Sequence, residues 1–492
     1  MIANSEKIKL IFGLKVRQLR QEKGINLSTL AERSGVSVSY LNEIESGKKY
    51  PKSDKILALA KALEADYDTL VSMKLSKKLQ PVAELLNSPI LQELPLELFG
   101  IQPTDLLEIL AQAPARFSAF INTIIEISRS YGMRVEQFFV SALRSFQEIH
   151  DNYFPEIEEA AESFLKEAGV QTVSADLLKN VLEQRFGYVI EAFDEASHPD
   201  LANLRSVFLP NQHKLLVHRG LTSEQRAFTF GREVGYQVMK LEQRPLVSSV
   251  LEVESFEEML NNFRGSYFSG ALLMPQQMLA DALNDFFRQP NWDSGRFLDL
   301  ISRFQATPEM FLRRITSVLT SRFGINQLFF IRFDNVAGEN FFALSKELHL
   351  AKLHNPHATL REHYCRRWVS LTILQELADL QTNNTWDGQP LCRAQISEYE
   401  NSDNRYLVIS LAKPSPPKAN MNSSVSIGFA IDNNLKGLVR FLDDPALLRR
   451  TVAETCERCG VLDCQERSAS PLILQKQVRI KQVSEAVKRL NR

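Results

Sequence analysis

Residues 13–63 read GLKVRQLRQEKGINLSTLAERSGVSVSYLNEIESGKKYPKSDKILALAKAL, and the spacing of caps and apolar residues in this stretch decides how the amino-terminal part folds. Between Lys7 and Lys23, Ile8, Ile11, Phe12, Val16 and Leu19 recur at helical spacing. Gly24 then supplies the left-handed stop that a helix end favours. Asn26 is placed to cap a short helix reaching Arg33, and Gly35 makes a tight turn. Ser37 caps a second short helix, with Leu41 and Ile44 facing inward and Gly47 ending it. Ser53 or Asp54 would cap a further helix whose apolar face is Ile56, Leu57, Leu59, Ala60 and Leu63. Two short helices joined across a glycine turn, inside a five-helix unit of roughly 65 residues, is helix-turn-helix geometry.

Outward from this stretch, the 492-residue chain has room for about three domains. Its 44% hydrophobic and 24% charged content is that of a globular protein, not of a disordered one. No window approaches the roughly 18 uninterrupted apolar residues of a membrane span. The first residues, charged at Glu6, Lys7, Lys9 and Lys15, lack the apolar core of a secretion signal. Five cysteines do not make a disulfide framework, so a cytoplasmic protein with reduced thiols and no membrane partner is expected. The net charge of −1 hides an asymmetry. Residues 1–80 carry 15 basic and 9 acidic side chains, a net of +6, and the remainder carries −7. The last segment, 471–492, is basic again: Lys476, Arg479, Lys481, Lys488, Arg489 and Arg492 stand against Glu485 alone. Such separation points to an electrostatic partner.

In its turn, caps and core positions, the stretch from about residue 7 to 72 resembles the lambda-repressor-like, or XRE, DNA-binding domain. Leu30-Ala31, Gly35-Val36-Ser37 and Ile44-Glu45-x-Gly47 carry the likeness. The resemblance implies a partner, double-stranded DNA, and sends the helix beginning at Ser37 into the major groove. Val38, Ser39, Asn42 and Glu43 lie on its outward face as candidate base readers. Val38 could touch a thymine methyl, and Glu43 could accept from cytosine N4. Tyr40, Lys48, Lys49 and Lys52 are placed for phosphates, which position the domain without reading sequence. Leu27 stands where the family often has glutamine, so one backbone contact is expected to be missing or replaced.

Residues 73–170 read as a helical connector broken by prolines, with apolar stripes at Phe117-Ile121-Ile124-Ile125-Ile127 and Phe138-Phe139-Ala142-Leu143-Phe146. It is a sensible place for a homodimer, or a higher oligomer, to form. Beyond Gln171, short strand-like runs at 188–190, 206–209 and 214–217 precede a helix from Thr222 to Leu241 and a second ending at Pro275. This helix pair resembles the ImmA/IrrE metallopeptidase-like domains. In that family the first helix carries His-Glu-x-x-His, two imidazoles one turn apart on zinc with glutamate as general base. Here Arg232 and Tyr236 occupy the histidine positions, Glu233 alone remains, and Arg264 takes the place of the second-helix carboxylate. A guanidinium offers only donors, so a peptidase-like fold without peptidase chemistry, and so not an enzyme, is expected. Glu233 then reads as one half of a buried ion pair with Arg232 or Arg264. Alternatively, Arg232, Glu233, Tyr236, Arg264 and Tyr267 line a cleft for an anionic ligand.

Further on, 327–333, 406–411 and 424–429 read as strands. Cys456-x2-Cys459-x4-Cys464 places three thiols where they could converge on one ion. The fourth ligand would come from Cys365, failing which His363 or Cys392. Zinc would make a structural staple and an iron–sulfur cluster a redox or iron sensor, while free thiols in a loop need no metal. Four of the eight histidines, His349, His354, His357 and His363, read as a polar surface segment. Taken with the two resemblances above, Cys365 with Trp368, the three clustered cysteines and Arg467-Ser468-Ala469 resemble the short-chain fatty acyl transcriptional regulators. That likeness implies control of acyl metabolism and an acyl-CoA-like effector.

The expected architecture is therefore multidomain: an all-α helix-turn-helix domain (1–72) and helical connector (73–170), followed by α+β domains. These are a peptidase-like domain (171–345) and a cysteine-containing sensor domain (346–470), ahead of the basic tail (471–492). A metallopeptidase that cleaves a repressor, or a redox-sensing regulator, are the competing readings.

Overall fold

The computed structural model describes residues 4–73, 123, 135–247, 255–350, 362–400, 402–415 and 420–491. The chain divides into two compact units, 1–146 with 252–257, and 147–251 with 258–492. Most of the expected connector, including the stripe from Phe117 to Ile127, lies outside the described residues.

The first unit opens with five helices: α1 (Asn4–Glu22), α2 (Leu27–Ser34), α3 (Val38–Glu45), α4 (Ser53–Ala62) and α5 (Tyr67–Val71). The local signals act as read. Asn26 accepts from the Thr29 N–H at 2.8 Å, Ser37 accepts from the Tyr40 N–H at 3.3 Å, and Gly35 ends α2 at φ 65°. The cap of α4 differs: Lys52 occupies that position with no side-chain bond, and Ser53 and Asp54 lie inside the first turn. Val16, Leu30, Leu41, Ile44, Leu59 and Leu63 are wholly buried. Each such side chain contributes roughly 1.5–3 kcal/mol. Gly13 is where α1 meets the end of α3; a Cβ there would stand 2.1 Å from the Ile44 carbonyl oxygen.

Two polar ties complete the domain. Arg20 grips Glu45 with two bonds of 2.6 and 2.8 Å and donates to the Ile25 carbonyl at 3.0 Å. Lys15, buried at 7% exposure, donates through Nζ to the carbonyls of Thr69 (2.7 Å) and Ser72 (2.5 Å) and to Ser72 Oγ (2.9 Å). Burial lowers its pKa, and three acceptors satisfy its three N–H groups. The helix α6 (Val135–Ile149) closes the described part of this region and spans the apolar stripe from Phe138 to Phe146.

The second unit holds two sheets. Helices α7 (Pro155–Ala168) and α8 (Ala175–Phe186) lead into a three-stranded sheet of β1 (Val189–Phe193), β2 (Ser206–Leu209) and β3 (Lys214–His218). Its order is β1-β3-β2, with β1 parallel and β2 antiparallel to β3. A capping box of Thr222 and Gln225 starts α9 (Ser223–Val238), and α10 (Phe256–Leu273), α11 (Gln276–Phe287), α12 (Ser294–Arg303) and α13 (Pro308–Phe323) follow.

The larger sheet has the order β5-β4-β8-β7-β6-β9, from β4 (Leu328–Val336), β5 (Ala343–His349), β6 (Leu391–Tyr399), β7 (Arg405–Pro414), β8 (Met421–Ala430) and β9 (Leu448–Val452). It begins at Leu328, so the expected division at 345/346 falls inside β5; pairing β4 to both β5 and β8 keeps those residues with the sheet. The helix α14 (Val369–Thr382) covers one face over Phe329, Ile331, Phe333, Trp368 and Val408. Beneath it, Ser424 and Ser426 bond to the Ser370 carbonyl and hydroxyl at 2.6 and 2.8 Å, so buried hydroxyls are satisfied across the interface. A short α15 (Asn433–Leu438) and the exposed α16 (Leu472–Leu490) complete the chain. No helix among the described residues is long and apolar enough to cross a membrane.

Candidate nucleic-acid interface and sensor sites

The helix α3 buries Leu41 and Ile44 and thereby turns Val38, Ser39 and Asn42 to solvent. Val38 is 44% exposed, an aliphatic side chain held open beside Ser39. Tyr40 and Glu43 are half-buried on the flanks, and Lys48, Lys49 and Lys52 are exposed beyond the helix end. Of the eight residues read as DNA contacts, six are exposed, Glu43 is half-buried and Tyr40 packs against the domain core. Leu27 packs against the core beside Leu30, so the position that carries glutamine in the resembled family is spent on packing.

The second set separates. Gly231, Gly235 and Gly265 let α9 and α10 approach closely; a Cβ on Gly265 would stand 2.6 Å from the Tyr236 ring and 3.1 Å from the Arg232 side chain. Glu233 is buried and pairs with Arg244, not with Arg264; Arg232 reaches it only at 3.9 Å. The Arg244 guanidinium also lies 3.8 Å from the Phe208 ring centre and 4.7 Å from that of Tyr236, sandwiched where it is shielded from water. Tyr188 bonds Glu233 at 3.4 Å and receives Gln237 at 2.8 Å. Burial pushes both Tyr188 and Tyr236 up to about 12, so neither phenol ionises near neutrality.

Tyr236 donates to Asn262 at 3.4 Å, and Arg264 donates to Asn261 at 3.3 Å. Tyr267 belongs elsewhere: its hydroxyl donates to Glu158 at 2.7 Å, and Glu158 is held by Arg314 with bonds of 2.5 and 2.9 Å. Tyr267 therefore keeps partners of its own, apart from those of Arg232, Glu233, Tyr236 and Arg264. The ion pair expected at Glu233 forms, but its main partner is Arg244, eleven residues along in a loop that no local pattern marks.

Arg232 instead points toward a cationic group that the sequence did not single out. Its Nη2 donates to Ser206 at 3.3 Å, and its buried Nε has no hydrogen-bond partner among the described residues. Arg205, Arg332 and Lys413 lie within electrostatic reach in the same region; burial lowers Arg205 and Lys413. Two carboxylates already hold Arg332: Asp334 at 2.8 and 3.0 Å and Glu309 at 2.6 Å. Burial would raise Glu309, but Lys346 and Arg332 outweigh it and hold the carboxyl well below the usual range.

The cysteines gather in part. Cys365, buried just before α14, lies within electrostatic reach of Cys456 and Cys459, and burial pushes it up to about 11. The three thiols keep separate partners, however. Cys459 Sγ donates to Glu400 at 3.6 Å, and Cys456 Sγ lies 3.4 Å from Ser468 Oγ. Cys464, half-exposed, faces Glu466 at 3.7 Å. His363 bonds Glu457 at 2.7 Å, and Cys392 is buried in β6, where desolvation pushes it up to about 12. Among the described residues no three His, Cys, Asp or Glu side chains are grouped to hold a metal ion. As placed, the set of Cys365, Cys456, Cys459 and Cys464 does not form a closed cage. Arg467 fastens the turn, donating to the carbonyls of Cys456 (2.9 Å), Cys459 (3.2 Å) and Val461 (2.6 Å). Of the four histidines, His349 lies in β5, His354 and His357 fall outside the described residues, and His363 is half-exposed.

The five-helix fold and its match to a family model mark a DNA-binding regulator of the helix-turn-helix class. Residues 16–70 match the helix-turn-helix family model. Over 348 residues the chain is 24% identical to a propionyl-CoA carboxylase regulator of Cereibacter sphaeroides, covering 66% of this chain and 69% of that one. Over 286 residues it is 24% identical to the HTH-type transcriptional regulator PrpR of Mycobacterium tuberculosis, covering 54% and 56%. A solved Mycobacterium tuberculosis transcriptional regulator aligns with a TM-score of 0.47 at 19% identity, over 66% of this chain and 92% of that one.

Proposed function

We propose that this chain is a cytoplasmic, homodimeric transcription factor that controls genes of short-chain fatty acid and acyl-CoA metabolism in response to an acyl-CoA-like metabolite. The open face of α3, with Val38, Ser39 and Asn42 exposed beside Lys48, Lys49 and Lys52, carries the DNA-reading part. Likeness to regulators named for propionyl-CoA carboxylase and as PrpR supports the metabolic part. Arg232 is buried; its Nε lacks a hydrogen bond among the described residues, and its neighbouring carboxylate, Glu233, stands 3.9 Å away and is held by Arg244. Together with Arg205 and Lys413 in the same region it supports an anionic effector, since gathered cations favour a negative ligand. It is a binding protein and not a peptidase, because the Arg232 guanidinium offers only donors and buried Tyr236 is kept from forming the phenolate that would hold a metal.

An effector can switch DNA binding only by favouring one arrangement of the protein over another. Mapping bound sites across the genome, then titrating short-chain acyl-CoA thioesters into a complex of the full chain with a mapped duplex, tests both parts. Sites away from acyl-metabolism genes would overturn the pathway assignment. Unchanged DNA affinity at saturating thioester would overturn the effector.

A second reading rests on Cys365 lying near Cys456 and Cys459 from segments about ninety residues apart. Zinc or an iron–sulfur cluster would have to draw Cys459 from Glu400 and bring Cys464 inward. Metal analysis and visible absorbance of protein purified without oxygen decide it: a colourless, metal-free chain that still binds DNA leaves the cysteines as free thiols.

A further inference from the structure

The final helix, α16, buries none of its residues. Six aliphatic side chains of this helix are exposed; Ile480, Val483, Val487 and Leu490, at 59, 57, 50 and 85%, share one stripe, Leu472 flanks it and Val478 lies on the other side. The spacing along the stripe is regular. Ile473, Ile480 and Val487 recur every seven residues, and Val483 and Leu490 recur every seven, three residues after the second and third of them. These are the a and d positions of a heptad, with β-branched residues at every a; Leu490 at the last d completes the combination that favours two parallel strands, and Val483 takes the middle d. Lys476 takes the first d position and is the one charge in the seam.

We propose that α16 pairs in register with α16 of a second copy of this chain, forming a short parallel coiled coil. This rests on the dimeric reading above and assigns it a surface. The flanking positions raise no obstacle: Arg479 would face Ser484 across the seam, Leu472 would face Gln477, and Ala486 would face Asn491. Lys481, Lys488 and Arg489 fall on the opposite side and point apart; Lys476 alone would meet its own copy, at the first d position, where the seam begins. At roughly 80 Å² of newly covered surface for each apolar seam residue, the pair and its flanks bury on the order of 1,000 Å² in total. That is the lower limit for a specific interface and matches a dimer completed by two adjacent DNA half-sites. Arg467 fixes the start of the helix by holding three carbonyls of the preceding turn, so the seam projects from an anchored base.

Sedimentation velocity of the full chain over a wide concentration range, with thermal melting as a folding control, tests the pairing. Ile480→Asp/Val487→Asp is expected to weaken self-association at least about tenfold, while Lys481→Glu/Lys488→Glu leaves it unchanged. As a second readout, Leu490→Cys places two thiols at facing d positions and is expected to give a covalent dimer on mild oxidation, above the level of the parent chain. Self-association that persists unaltered in the seam variant, or no added cross-link from Leu490→Cys, overturns the coiled coil and leaves the dimeric reading standing. A parent chain that stays monomeric at every concentration overturns both. Loss of anionic-vesicle binding in the seam variant without any change in self-association would assign the helix to a membrane surface and overturn the proposal as well.

Discussion

Replacing Lys48 and Lys49 together with alanine removes two exposed cations at the margin of the recognition helix without touching the core or the caps. If each neutralises one phosphate, the logarithm of affinity loses about 0.9 of salt slope per lysine, about 1.8 for the pair. Raising salt fourfold, from about 50 to about 200 mM, then weakens the parent chain about twelvefold more than the variant. Fluorescence anisotropy of a labelled duplex, titrated with full chain at several salt concentrations, measures both slopes directly. A purely structural role would shift the whole line and leave its slope alone. Equal slopes for parent and double variant would therefore refute the phosphate assignment, whatever the affinities. Glu43→Ala provides the contrast: it should cost roughly 1–3 kcal/mol at one base pair and relax preference there, with little change of slope.

Three further outcomes follow from the second unit. Arg244→Ala leaves Glu233 buried without its main partner and should cost roughly 3–5 kcal/mol in urea unfolding; a loss under about 1 kcal/mol would show that the pair is not closed in solution. At about pH 8, alkylation in the native state should label Cys464 first and spare Cys365 and Cys392, whose thiols burial pushes up to about 11 and 12; early labelling of Cys392 would contradict its placement. Glu309 is held below its unfolded value, so its stabilisation is complete above the ordinary carboxylate range and is lost as pH falls through and below it. Glu309→Gln should accordingly flatten the acid side of the stability profile, and an unchanged slope between pH about 5 and about 3 would refute the linkage.

What could be read in the sequence divides along sequence distance. Asn26, Ser37, Gly35 and Gly47 act on neighbours three or four residues away, so a local pattern suffices, and the reading of α2 and α3 follows from it. Strands β4, β7 and β8 are long and apolar enough to declare themselves. The short edge strand β9 is mostly exposed and gains its identity only by pairing with β6 some fifty residues earlier. The partners of the charged residues were likewise beyond reach: Glu158 comes to Tyr267 from 109 residues away. Arg232, Glu233, Tyr236, Arg264 and Tyr267 looked like one site because two helices carry them all. The close glycine packing instead sends Glu233 to Arg244, Tyr267 to Glu158 and Arg232 to Ser206.

Lys15 has a mechanical consequence. Residue 72 is where the chain leaves the five-helix domain, and Lys15 clamps that exit to the middle of α1. Five residues along the same helix, Arg20 clamps α1 to the end of α3 through Glu45. A tug on the departing chain would first meet α5, a helix of only five residues that could unwind cheaply. With the exit bolted to α1, the force bypasses it and arrives as torque on a rod already fastened to α3, the helix proposed to read DNA. The domain should then swing as one lever, and a small twist imposed from outside would change the angle at which α3 meets the groove before it cost the domain any of its fold.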